Sequence, residues 1–195
     1  MCFSAPVSFT AGVFLCAAGA VLIKRLQNIK FLPLALIPLF FAVQQFAEGA
    51  VWLHFHPRLA TDIFLFFAFM FWPMWIPFAF WVAERKKHSL ILLLLGILIA
   101  IYLAVDVFTT QATFYTYSIR YGVPERKDYI PFFVYLGVIA LPLFLSQIKR
   151  MWVLGVLTAG SGILIAFIDA QFLVSLWCFL AAFFSLGLLV LLSIF

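Results

Sequence analysis

Charge in this chain is confined to short blocks, and the blocks are separated by apolar stretches about as long as a bilayer is thick. Lys24, Arg25 and Lys30 follow the first stretch, Arg85, Lys86 and Lys87 the third, and Lys149 and Arg150 the fifth. A helix needs about 20 apolar residues to cross roughly 30 Å of hydrocarbon. Seven stretches satisfy that: 6–26, 31–53, 62–83, 89–108, 129–147, 151–170 and 172–194. Of the 195 residues 67% are hydrophobic and 10% charged, against about 45–50% and 25% in soluble domains. A water-soluble fold has nowhere to hide so much apolar surface, and in lipid the backbone is satisfied only by helices or closed barrels. The expectation is an all-α, polytopic integral membrane protein, a single transmembrane helical-bundle domain over 1–195 with seven transmembrane helices.

The basic blocks also orient it. Eight of the twelve Lys and Arg residues lie in the loops after spans one, three and five; Arg58, Arg120, Arg126 and Lys127 lie in the loops on the opposite side. The positive-inside rule then places the N-terminus outside and the C-terminus in the cytoplasm. The net charge of +5 is spread over blocks too short to grip nucleic acid; they read as topology signals and contacts to anionic lipid heads. No Lys or Arg precedes the first apolar run, which reads as an uncleaved first helix rather than a signal peptide.

Against this background Glu48 is conspicuous. It lies inside the second span, with Gln44 and Gln45 one turn earlier. An ionisable residue there costs roughly 2.5–3.5 kcal/mol on insertion scales, and such residues face the bundle interior and often mark a functional site. Gln44, Glu48 and Trp52 are four apart and share a helix face; burial favours the neutral acid. The expected topology brings Ser175 and Cys178 to the same depth. A hydrogen-bond clamp between helices and a proton-coupled, cation-binding or acid–base role both fit.

Other residues gather near the same side. His54-x-His56 could begin a metal site completed by Glu48, Asp62 or Asp106, with Asp169 a further candidate, although two histidines at a helix end are also ordinary interfacial residues. Cys2 and Cys178 could form a disulfide on the oxidising side, hold a metal, supply a nucleophile or be unrelated. Span three carries Trp72-Pro73 and Trp75-x-Pro77, whose prolines remove backbone donors and should kink the helix; the two indoles need internal partners, as core or as a pocket wall. The segment 109–128, with Tyr115, Tyr117 and Tyr121, reads as an interfacial cap or as a lid. Small residues at helical spacing (Gly12, Cys16, Gly19; Gly155, Ala159, Gly162, Ala166; Ser175, Cys178, Ala182, Ser185) read as helix-packing faces.

Several of these motifs together resemble a family of small uncharacterised bacterial membrane proteins that begin Met-Cys-Phe-Ser: Met1-Cys2-Phe3-Ser4-Ala5, the run from Pro38 to Gly49 containing Gln44-Gln45-Phe46-Ala47-Glu48, Trp52, Trp72-Pro73, Trp75, Pro77 and Ser175-Leu176-Trp177-Cys178-Phe179. The resemblance implies a multi-pass protein of the bacterial inner (cytoplasmic) membrane, with interest in Cys2, Gln44, Gln45, Glu48, Trp52, Trp177 and Cys178. It implies no activity. Where that family is expected to carry His-x-x-Tyr, this chain has Ser118-Ile119-Arg120-Tyr121. The topology is also similar to that of alkaline ceramidase-like hydrolases, but their late His-x-x-x-His is absent.

The functional expectation is a membrane-embedded protein that binds or transports a small solute or lipid-like ligand at an outward-facing polar site centred on Glu48. Gln44 and Gln45 would orient the ligand beside Ser175 and Cys178, within walls of Trp52, Trp72, Trp75 and Trp177. The alternative is a membrane-embedded enzyme acting on a lipid or lipoprotein, with Cys2 or Cys178 as thiol or metal ligand and Glu48 as general acid/base. A third is a structural subunit. No residue pattern names a cofactor, a ligand or an oligomeric state.

Overall fold

A computed structural model describes residues 4–115, 118–121, 130–168 and 173–192. Six helices in it are long and apolar enough to cross a membrane, which marks a membrane protein: α1 (Ala5–Arg25), α2 (Ile29–Trp52), α3 (Pro57–Glu84), α4 (Lys87–Thr109), α6 (Met151–Ile168) and α7 (Leu173–Leu191). Between them α5 (Ile130–Leu145) is a shorter apolar helix. It stops short of the expected 147 because Ser146 and the Gln147 N–H turn aside to donate to Glu84 Oε1, at 2.5 and 3.0 Å. Lys86 pairs with the same carboxylate at 3.4 Å. This knot ties the α3–α4 turn to the α5–α6 turn, so the two basic blocks they carry lie at one end of the bundle.

The described residues are overwhelmingly helical, in keeping with the all-α expectation, with one small addition. The segment between α4 and α5 contains an antiparallel hairpin, β1 (Ala112–Tyr115) and β2 (Ser118–Tyr121), with Thr113 opposite Arg120. It sits at the end of the bundle away from the Glu84 knot. Ile119 and Tyr121 are fully buried, and Tyr121 stacks on Phe64 of α3 with centroids 4.8 Å apart. The described hairpin thus plugs that end of the bundle with two buried side chains. Arg58 holds its root: the guanidinium donates to the carbonyls of Phe108 and Thr110 where α4 ends, and pairs with Asp62 at 3.3 Å.

Helix contacts define the layout. Around the bundle α2 packs on α3, α3 on α5, α5 on α6, α6 on α7, and α7 returns to α2. These five make a closed ring. Outside it, α1 leans on α2 and α4 on α3 and α5. Small residues set the close approach: a Cβ on Gly12 would come 2.5 Å from Phe46, and one on Gly19 would come 2.5 Å from Leu39. The outward face of α4 (Ile91, Leu94, Leu98, Ile101, Val105) is exposed and wholly apolar, which suits lipid and not water.

The expected distortion of the third span is present, and its position is specific. Residues Phe66–Phe71 form a π-helical stretch, in which the Trp72 N–H reaches back five residues to Phe67 O. The next bond in that pattern would run from residue 73 to Ala68 O, but Pro73 has no N–H. The Tyr135 hydroxyl of α5 donates to Ala68 O instead. Pro77 likewise cannot donate to Pro73 O, and that carbonyl faces Gly96 of α4 so closely that a Cβ there would lie 1.9 Å away.

Candidate functional site

The ring encloses a cavity of about 70 Å³. Its walls follow helical ladders four residues apart: Ile37 and Phe41 on α2, Trp72, Ile76 and Phe80 on α3, Tyr135, Ile139 and Leu143 on α5. Leu154 and Thr158 on α6 and Trp177, Cys178, Ala181 and Ser185 on α7 complete it. Among the described residues the lining is almost entirely apolar and contains no Arg, Lys, His, Asp or Glu.

A polar layer joins this cavity through two of its lining residues, Trp72 and Cys178. Gln44 and Glu48 extend the α2 wall by one and two turns beyond Phe41, and both are fully buried. The Trp72 indole donates to Gln44 Oε1 at 2.8 Å and lies on the Phe41 ring, with centroids 3.9 Å apart. Across the ring, the Ser175 hydroxyl donates to Glu48 Oε1. The Cys178 thiol, one turn along α7, lies beside the Gln44 amide. On the far wall Trp177 donates to Thr158 O at 2.9 Å and stands edge-on to Tyr135. Gly162 makes room for it, since a Cβ there would lie 2.9 Å from the indole.

A family model described as a family of unknown function matches residues 1–194. The chain belongs to DUF6629. This agrees with the resemblance to an uncharacterised family noted from the sequence. No curated protein and no solved structure matches this DUF6629 chain.

The sequence expectations for the site fare unequally. The structure brings Gln44, Glu48, Trp72, Ser175, Trp177 and Cys178 together. Trp75 stands apart: its indole donates to Pro33 O at 3.1 Å and its ring packs among Phe40, Phe71 and Phe78. Three residues beyond Trp72, it sits nearer the start of α2 and lines no part of the cavity. Trp52 also lies off the cavity, half-buried among the residues under the hairpin. Gln45 is fully buried beside the layer, and neither its amide atoms nor Trp52 Nε1 have a hydrogen-bond partner among the described residues.

Among the described residues no group of three His, Cys, Asp or Glu side chains comes together. His54 and His56 are exposed, in a turn where both adopt left-handed backbone (φ 53° and 43°), and His54 packs on Phe114 of the hairpin. Asp106 is buried at the end of α4. Cys2 and Asp169 lie outside the described residues, and with them the Cys2–Cys178 pairing. Tyr135 and Thr158 were missed. The signal for Tyr135 was a lone hydroxyl in an apolar helix, four residues from Ile139 and eight from Leu143.

Proposed function

We propose that this chain is a seven-span protein of the bacterial inner membrane, N-terminus outside and C-terminus cytoplasmic. Its work is to bind or move a small solute or lipid-like ligand at a polar site centred on Glu48, beside the ring cavity. The observation that carries this is a fully buried carboxyl, held by Ser175, one turn along α2 from Gln44, whose amide accepts from Trp72, an indole that lines an otherwise apolar cavity. In a bilayer a buried ionisable group is costly enough to need a use. A pure clamp between α2 and α7 would need no chamber beneath it. With the Glu84 knot and its basic turns on the cytoplasmic side, Glu48 lies in the outer leaflet under the hairpin plug.

The test is Glu48→Gln. The wild type, purified and incubated with a total lipid extract of the expression host, should retain an organic adduct in native mass spectrometry. The variant should stay monodisperse and helical but lose it. A folded variant that keeps the adduct refutes the central role of Glu48.

Cys178 supports a second reading, because its thiol lines the cavity beside Gln44: a membrane enzyme using that thiol with Glu48 as acid/base. A Cys178 thiol inert to a membrane-permeant maleimide in the folded protein would exclude it as a nucleophile.

A further inference from the structure

We infer that internal waters, bound at Gln45 and Trp52 of α2, hydrate the Glu48 carboxyl. This rests on the reading of Glu48 as the centre of a working site, and it names what shares that site with the acid.

Two side chains carry it. Gln45 is fully buried, and neither atom of its amide has a hydrogen-bond partner among the described residues. Trp52 Nε1 is also buried and also without a partner there. A buried indole N–H ordinarily finds an acceptor, and an amide has N–H donors and an accepting oxygen to place. Elsewhere the chain keeps that rule: the Trp72, Trp75 and Trp177 indoles donate to Gln44, Pro33 and Thr158. The two exceptions fall at one place. Residues three and four apart on a helix are neighbours, with about 5–6 Å between Cβ atoms. Gln45 comes three residues before Glu48 and Trp52 four after it. Seven apart, they share a face of α2 and flank the turn that carries the carboxyl.

The mixture of donors and acceptor selects the guest. A cation meets Gln45 Oε1 and leaves the amide and indole N–H groups unmade, which is costly in a buried site. An anion meets the N–H groups but stands beside an acidic side chain. A neutral amide or acid group of an organic solute has the right atoms. Gln45 and Trp52, however, line neither the ring cavity nor the groove of about 450 Å³ between α1 and α7, so neither space brings such a group to them. Water needs no such chamber, and it both accepts and donates. Proteins hold about one internal water per 27 residues, each with about three hydrogen bonds to buried polar groups. Here the water oxygens accept from Trp52 Nε1 and Gln45 Nε2, and their hydrogens go to Gln45 Oε1 and the Glu48 carboxyl. The Glu48 proton then has a water oxygen to move to, which a dry clamp on Ser175 lacks.

The experiment is a water-selective NMR measurement on the full-length, nitrogen-15-labelled protein in detergent micelles. It reads magnetisation transfer from water to each indole N–H, with signals assigned by single Trp→Phe substitutions. Trp52 Nε1 is closed to bulk solvent, so a water cross-peak there reports an internal water. The cross-peak should be present at Trp52 and absent at Trp72 and Trp177, whose N–H groups donate to protein oxygens. Gln45→Met should remove it; if that variant does not fold, the comparison of indoles in the wild type decides alone. No cross-peak at Trp52, equal cross-peaks at all three indoles, or a Trp52 cross-peak that survives Gln45→Met overturns the inference. So does transfer to Trp52 from the protons of a bound organic molecule in place of water. The ligand reading is judged separately, by the adduct lost in Glu48→Gln: an adduct that behaves as expected with no water at Trp52 leaves that reading standing and sinks the waters alone.

Discussion

Tyr135→Phe removes one hydroxyl and little else, because the ring keeps its place edge-on to Trp177 at 5.7 Å. What is lost is the donor to Ala68 O, a carbonyl that Pro73 leaves without its helix partner. Leaving a buried carbonyl without a donor costs about 1–3 kcal/mol, and hydrogen bonds between membrane helices are worth roughly 0.6–2 kcal/mol, so about 1–2 kcal/mol is expected. For a chain of this size that lowers Tm by about 2–8 °C, at roughly 2–4 °C per kcal/mol. The decisive form is a double-mutant cycle with Pro73→Ala, read by thermal unfolding in one detergent. Alanine restores an N–H at residue 73, which satisfies Ala68 or lets the π stretch relax. In that background Tyr135→Phe should cost less, with a coupling energy of about 1 kcal/mol. If the two substitutions are additive to within about 0.5 kcal/mol, the argument linking the missing proline donor to the tyrosine is wrong.

Two further outcomes follow from the same packing logic. Gly96→Ala should lower Tm by several degrees, because its Cβ meets Pro73 O at 1.9 Å and backbone cannot swing aside as a side chain can; overpacking of this kind costs about 1–3 kcal/mol or more. Gly160→Ala, with nothing within 4 Å of its Cβ, should be neutral or stabilising by up to about 1 kcal/mol, and equal destabilisation by the two would refute the contact. Arg58→Leu should loosen the root of the hairpin, seen as faster hydrogen exchange at residues 112–115 and 118–121 with unchanged exchange in the α5–α6 turn.

The helices were legible because lipid imposes one rule everywhere: charge is excluded over bilayer-length runs, so the positions of Lys24, Arg85, Lys149 and their neighbours mark the boundaries. Glu48, Gln44, Ser175 and Cys178 were legible as a group because topology alone puts them at one depth. Direction within the bundle was not. Trp72 and Trp75 look equivalent in sequence, and only the fit of Trp72 against Phe41 and of Trp75 against Pro33 separates them. The hairpin was hidden because Ile119 and Tyr121 supply two buried side chains on one short strand, too short a pattern to stand out from a polar loop. Tyr135 was hidden because its partner is a backbone carbonyl, which carries no residue identity.

The closure of the ring by α7 has a bearing on how the protein is made. Ser175 lies 127 residues after Glu48, so at about 5–20 residues per second the carboxyl enters the membrane some 6–25 s before the hydroxyl that holds it. Throughout that interval the nascent bundle is a ring with one wall missing and an ionisable group at the gap. A ribosome stalled within this window leaves a product whose α2 carries an acid with no α7 to receive it, a ready signal for membrane quality control. Closure of the ring therefore waits on α7, made well after the helix that carries Glu48.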